Sequence, residues 1–146
     1  MDYELDDNPA RVDTDVVWDF MSTQAYWGRW RDRTAVEHQL AGAWRVVGAY
    51  DKHTGDMVGF ARALSDGVAL AYLADVFVVE AARGHGLGKA LVQAMIDDGP
   101  GAGFRWMLHT TDAHELYRRF GFREPDVTYL ERPGAHAAIS EAPGTA

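Results

Sequence analysis

The stretch AARGHGLGKAL, residues 81–91, places Gly84, Gly86 and Gly88 at every second position behind Arg83 and then runs into a helical pattern. Just upstream, Val68 to Val79 is a long apolar run rich in β-branched and aromatic residues, interrupted by one charge at Asp75. A strand followed by a glycine turn and a helix is therefore expected. Without Cβ atoms, such a turn lets several backbone N–H groups converge on one point, and the helix start adds unpaired donors and the positive end of its dipole. That is a cradle for a phosphate or pyrophosphate, with Arg83 and Lys89 able to add charge. The spacing is not G-x-G-x-x-G, because the third glycine falls one residue early. It is not a Walker A loop either, because Ala90 follows Lys89 where a magnesium-binding Ser or Thr would stand. A glycine-rich helix start that holds no ligand is the plainer, less favoured alternative.

Working outward, Asp13 to Met21 reads as a capped helix with Val16, Val17 and Phe20 on one face. A short helix follows over 34–40, with Thr34 as its cap. Strands are expected over 44–50 and 57–64 as a hairpin, then the run 68–79 as a strand buried on both faces. The glycine turn leads into a helix over 86–98, a strand over 104–110, a helix over 112–120 that stops at Gly121, and a last strand over 127–131. The order implies one mixed α/β domain over residues 1–136, with 137–146 as a disordered tail rich in Ala, Gly and Pro.

Composition narrows the function. The hydrophobic fraction is 47% and the formal charge −8, so the chain folds but offers no basic face for nucleic acid. Residues 1–20 carry seven acids against one base, Arg11, which reads as a solvated acidic segment. No run is long and apolar enough to span a membrane, and the acidic start is unlike an export signal, so a cytoplasmic protein is expected. There is no cysteine, hence no thiol nucleophile. The six histidines show no metal-ligand spacing, and no metal is expected.

The segment from Val78 to Gly88 resembles motif A of the GNAT superfamily of N-acetyltransferases, Arg/Gln-x-x-Gly-x-Gly/Ala, with Arg83, Gly86 and Gly88 in register. Leu116-Tyr-Arg-Arg-Phe-Gly-Phe122 is similar to the family's motif B, and the two lie in the family's order. Val58 to Ala63, Ala71 to Val78 and Asp112 to Phe122 further resemble a small bacterial subgroup of single-domain members. The resemblance covers roughly residues 26–131. It implies the GNAT fold, a central mixed and mostly antiparallel sheet flanked by helices, and direct transfer of acetyl from acetyl-CoA to an amine in a ternary complex. The runner-up is a non-catalytic acyl-CoA-binding sensor or partner module with the same fold.

Carried over residue by residue, the resemblance assigns Phe77 and Val78 to the pantetheine arm of the coenzyme through their backbone, where the strand splays at a β-bulge. It assigns Arg83, Gly84, His85, Gly86, Leu87, Gly88 and Lys89 to the phosphates. Tyr117 stands at the position of the family's tyrosine, suited to protonate the departing thiolate; a packed core tyrosine is the plainer alternative. Asp75 is a candidate general base, since a lone carboxylate in an apolar strand must be paired or working. Anchoring a neighbouring loop explains it equally well. His109 has a suitable side chain but also the plain reading of a strand-end histidine. Tyr26, Trp27, Arg29 and Trp30 follow the first helix, where the family builds its acceptor wall. A homodimer is common in the fold; the acceptor itself is not legible in the residues.

Overall fold

The computed structural model describes residues 2–27 and 29–136. Residues 137–146, read from the sequence as a disordered tail, lie outside the described residues. Among the described residues, five strands form one sheet in chain order: β1 (Tyr3–Asp6), β2 (Arg45–Asp51), β3 (Met57–Ser65), β4 (Leu70–Val78) and β5 (Arg105–Met107). Neighbours are antiparallel except β4 and β5, which run parallel. That parallel pair is joined through α3 (Leu87–Met95), the crossover that parallel strands require. Helices α1 (Thr14–Thr23) and α2 (Arg33–Ala41) precede β2, and α4 (His114–Arg118) follows β5.

The sheet separates two apolar layers. On one face, α3 buries Leu87, Leu91, Val92 and Met95, a helical stripe, against Val47, Ala49, Ala61, Ala63 and Leu73. On the other, α1 and α2 bury Val17, Phe20, Met21 and Val36 against Val46, Tyr50, Phe60 and Phe77. Helix α1 begins where its cap predicts, with Asp13 accepting from the amides of Asp15 and Val16. The cap of α2 is Asp32 rather than Thr34; its carboxylate accepts from the Ala35 amide at 2.8 Å. A carboxylate is the stronger acceptor, and it moves the helix start forward.

Residues 3–6 are not a free acidic segment. They pair with β2 from Tyr3↔Asp51 to Asp6↔Gly48. Arg11 gathers Glu4 at 2.7 Å and Asp6 at 3.2 Å while its guanidinium lies 3.8 Å over the Tyr50 ring. The strand expected over 127–131 does not form. Asp126 instead takes the Thr128 amide at 2.8 Å and curls the chain, leaving Val127 and Leu130 exposed. Strand β5 is also shorter than the expected 104–110, and α4 shorter than 112–120, closing at Gly121 with φ +86°.

One irregularity sets the site. In β3–β4 the register runs Arg62↔Asp75 and then Ala63↔Leu73, so Ala74 has no partner and bulges. The extra residue reverses which side chains face which layer. Ala71 and Leu73 are buried on the sheet before the bulge, Leu73 against α3. Beyond it, Val76 and Val78 pack on the α3 side, whereas Phe77 joins the α1 side. The uniform burial on both faces expected for this strand is therefore replaced by alternation with a switch in the middle.

Candidate active site

Strands β4 and β5 pair only at Leu70↔Arg105, Ala71↔Trp106 and Tyr72↔Met107. Past Tyr72, and past the bulge at Ala74, β4 continues to Val78 without a partner on that side among the described residues. The Val79 amide donates to the Val58 carbonyl at 2.9 Å, so alternation turns the peptide groups of Phe77 toward β3 and those of Val76 and Val78 toward the opening. This corrects one assignment from the sequence. Phe77 supplies a buried ring, stacked on Phe20 at 4.2 Å, while the backbone turned to the opening is that of Val76 and Val78. The Val78 carbonyl accepts from Arg83 Nε at 3.1 Å.

Below the opening lies the glycine loop. Gly84 and Gly86 have φ of +83° and +75°, in the left-handed region that glycine tolerates. Gly86 is the N-cap of α3, and the first backbone partner within the helix is the Ala90 amide on the Gly86 carbonyl. The amides of Leu87, Gly88 and Lys89 are thus the unsatisfied first turn. A Cβ built on Gly84, Gly86 or Gly88 meets no atom within 4 Å. The space in front of the loop is therefore open to a ligand, and the residues fit a pyrophosphate. Leu87 directs its side chain into the core and offers only its amide. Lys89 and His85 are exposed, and His85 packs edge-on against Tyr3 at 5.7 Å, so strand β1 braces the loop.

Beside the splay is a cleft of about 750 Å³ whose wall includes Tyr26, Trp27, Trp30, Tyr72, His109 and Tyr117. Of the four residues expected to shape an acceptor pocket, three are in it. Arg29 is exposed and lies outside the wall. The Tyr26 hydroxyl accepts from the Thr111 amide at 3.1 Å, tying the wall to the loop after β5. Tyr117 borders this cleft and a second hollow of about 790 Å³ beneath α4. Burial, followed by the charges of Tyr26 and Asp112, pushes its phenol up to about 12. The proton is held at neutral pH, the state a donor needs.

Asp75 is surrounded. Arg31 binds it in a fork, Nη1 to Oδ2 at 3.0 Å and Nη2 to Oδ1 at 3.1 Å. Arg62 Nε donates to Oδ2 at 2.8 Å, and Trp27 Nε1 donates to Oδ1. Arg31 also donates to Gln39 at 2.6 Å. All three charged residues are buried. Burial alone pushes the Asp75 carboxyl up, but the Arg31 hydrogen bond and the charges of Arg62 and Arg31 reverse it, so the carboxyl is held below its ordinary value. A carboxylate with both oxygens taken by four donors is a poor proton acceptor. The anchoring alternative is the one the geometry favours: Asp75 ties the segment carrying Trp27 and Arg31 to β3 and β4. Sequence reading missed Arg31 and Arg62. For Arg62 a signal existed, since its charge interrupts an apolar strand just as Asp75 interrupts the next one. Arg31 carried no such sign.

The profile described as "Acetyltransferase (GNAT) family" matches residues 11–122. A protein of the fungus Gibberella zeae, named as an acetyltransferase, is 29% identical over 133 residues, covering 83% of this chain and 73% of that protein. A crystal structure from Xanthomonas campestris pv. campestris, assigned to the same family, superposes with TM-score 0.84 at 30% identity, over 92% of this chain and 94% of the other. A structure from Deinococcus radiodurans, at 23% identity and TM-score 0.68, over 90% and 89%, shares the fold. With its glycine loop, its splayed β4 and this match over most of its length, the chain belongs to the GNAT acetyltransferase family.

Proposed function

We propose that the protein transfers acetyl from acetyl-CoA directly to an amine held in the cleft beside β4. The observation that carries this reading is the parting of β4 from β5 after Tyr72, with an open glycine loop at the far end of the same strand. An extended pantetheine arm can pair with the peptide groups of Val76 and the Val78 amide as an added strand, while the loop amides and Arg83, held beside them on the Val78 carbonyl, take the phosphates. Acetyl-CoA supplies the activated thioester. The chain's own residues position it, wall off the cleft with aromatic side chains, and place Tyr117 to hand a proton to the leaving sulfur. Without cysteine, attack by the amine itself accounts for the transfer.

The acceptor's reactive end enters among Tyr26, Trp27, Trp30 and Tyr72, surfaces that suit an amine on an apolar or aromatic body. The test is titration calorimetry with acetyl-CoA, followed by thiol release against a panel of amines, amino acids and peptides. Saturable binding with turnover on one class of amine supports the proposal. Tight binding with no turnover on any amine supports the sensor reading instead.

A further inference from the structure

With Asp75 committed to two arginines, the ammonium group of an acceptor needs another route for its proton. Tyr72 is the last residue of β4 paired to β5, at the vertex of the splay and two residues before the bulge. Its hydroxyl lies 2.6 Å from His109 Nδ1. On the other side of that ring, His109 Nε2 lies 2.6 Å from Glu131 Oε2, and the Tyr129 hydroxyl donates to the same oxygen at 3.2 Å. All three of Tyr72, His109 and Glu131 line the cleft that Tyr117 borders.

We propose that Tyr72, His109 and Glu131 form a proton relay, in which the Tyr72 oxygen takes a proton from the incoming ammonium group as its own proton passes to His109. The proposal rests on the acetyl-transfer reading above. A carboxylate only accepts, so in the neutral ring Nε2 carries the proton toward Glu131 and Nδ1 is bare. The Tyr72 hydroxyl then donates to Nδ1 and keeps its lone pairs for the cleft. When the relay fires, an amine N–H bond breaks, a phenol O–H bond forms in place of the one given up, and His109 becomes an imidazolium paired with Glu131. The freed amine attacks the acetyl carbon and the C–S bond breaks. The thiolate takes the Tyr117 proton, and the second proton of the attacking nitrogen restores Tyr117. Burial, then the Glu131 charge, raises the Tyr72 phenol above its ordinary value, so Tyr72 passes a proton rather than resting ionised. The groups bonded to the ring are Tyr72 from β4 and Glu131 from the final segment, with Tyr129 on the same Glu131 oxygen; Tyr117, Asp112, Arg132 and His136 line the same cleft, and Asp75 behind Tyr72 is paired with Arg31 and Arg62. Tyr72 is the catalytic residue here, and His109 and Glu131 act through it.

Two measurements on the full chain test this. The first is histidine ring ¹⁵N–¹H NMR near neutral pH, with no donor or acceptor added. The expected result is His109 protonated at Nε2, with an Nδ1 resonance that moves in Tyr72→Phe and stays in Tyr117→Phe. A proton on Nδ1 in the neutral ring overturns the relay. The second uses acetyl-CoA with phenethylamine, spermidine, lysine and glucosamine, keeping whichever releases thiol fastest. Tyr72→Phe and His109→Gln should lower kcat/KM about a hundredfold and flatten the acid side of its pH profile, with the Kd for acetyl-CoA unchanged. Wild-type rates and profile in both variants overturn the relay while leaving acetyl transfer intact. Absence of thiol release by the wild-type protein with every amine overturns the transfer reading on which the relay depends.

Discussion

Leu73 and Asp75 stand two residues apart in one strand yet face opposite layers of the protein. Leu73 packs against the α3 core, whereas Asp75 meets Arg31 on the side of α1 and α2. Regular alternation would put both on the same face. The unpaired Ala74 between them reverses it and carries Asp75 to its two arginines. The same bulge lies next to the point where β4 leaves β5, so one residue both opens the cleft and builds the anchor behind it.

Removing the anchor should cost stability. Asp75→Asn leaves two buried guanidinium groups facing no charge, and loss of one member of a buried ion cluster costs about 3–5 kcal/mol. Urea melts followed by tryptophan fluorescence would measure this. A stability within 1 kcal/mol of wild type would contradict the anchoring role.

Acid should act through the same group. The Asp75 carboxyl is held below its ordinary value in the folded protein, so the folded state binds that proton less readily than the unfolded chain. The stability it contributes is present above the ordinary aspartate value and is lost as pH falls through the lower, folded one. Thermal melts of wild type and Asp75→Asn should therefore converge on acidification. A gap that stays constant to the lowest pH would contradict the assignment.

Gly88 offers a clean probe of the role proposed for the glycine loop. Its φ is not in the left-handed region, and a Cβ there meets no atom within 4 Å. Gly88→Val should leave the fold intact while placing methyl groups in the space for the phosphates. Acetyl-CoA affinity should fall at least tenfold with little change in Tm. At Gly86, with φ +75°, the same substitution should lower both, since a β-branched residue there is strained. Unchanged affinity in Gly88→Val would refute the cradle.

Tyr117→Phe should lower kcat about 10²- to 10⁴-fold, as loss of a general acid does, with the acetyl-CoA Kd unaffected. A drop confined to KM would show a binding role instead. The phenol, pushed up to about 12 by burial first, keeps its proton in the folded state above the ordinary tyrosine value of about 10. Its contribution to stability is full below that value and is lost as pH rises toward 12. Alkaline melts of the Phe variant should lack that component.

The glycine loop, the α3 stripe, the hairpin of β2 and β3, and the Gly121 stop were legible because each is a local matter. Backbone conformation and side-chain period are written within about ten residues. The acidic start misled because net charge says nothing of pairing; Tyr3–Asp6 becomes a strand only because β2 presents an edge and Arg11 returns to neutralise Glu4 and Asp6. The β-prone residues 127–131 misled in the opposite direction. A strand needs a neighbour, and the Asp126 turn takes the chain away from one.

From residues alone came the family, the order of elements from α1 to α4 and the position of the glycine loop, since those depend on motifs whose parts adjoin. The tertiary structure alone set Asp75 between Arg31 and Arg62, turned the backbone of Val76 rather than Phe77 to the opening, and brought Tyr72 to His109 and His109 to Glu131. Each depends on groups far apart in the chain, Asp75 and Arg31 by 44 positions and Tyr72 and His109 by 37. A single unpaired residue in β4 chooses the face on which they gather, and no local periodicity records where a strand pair skips one.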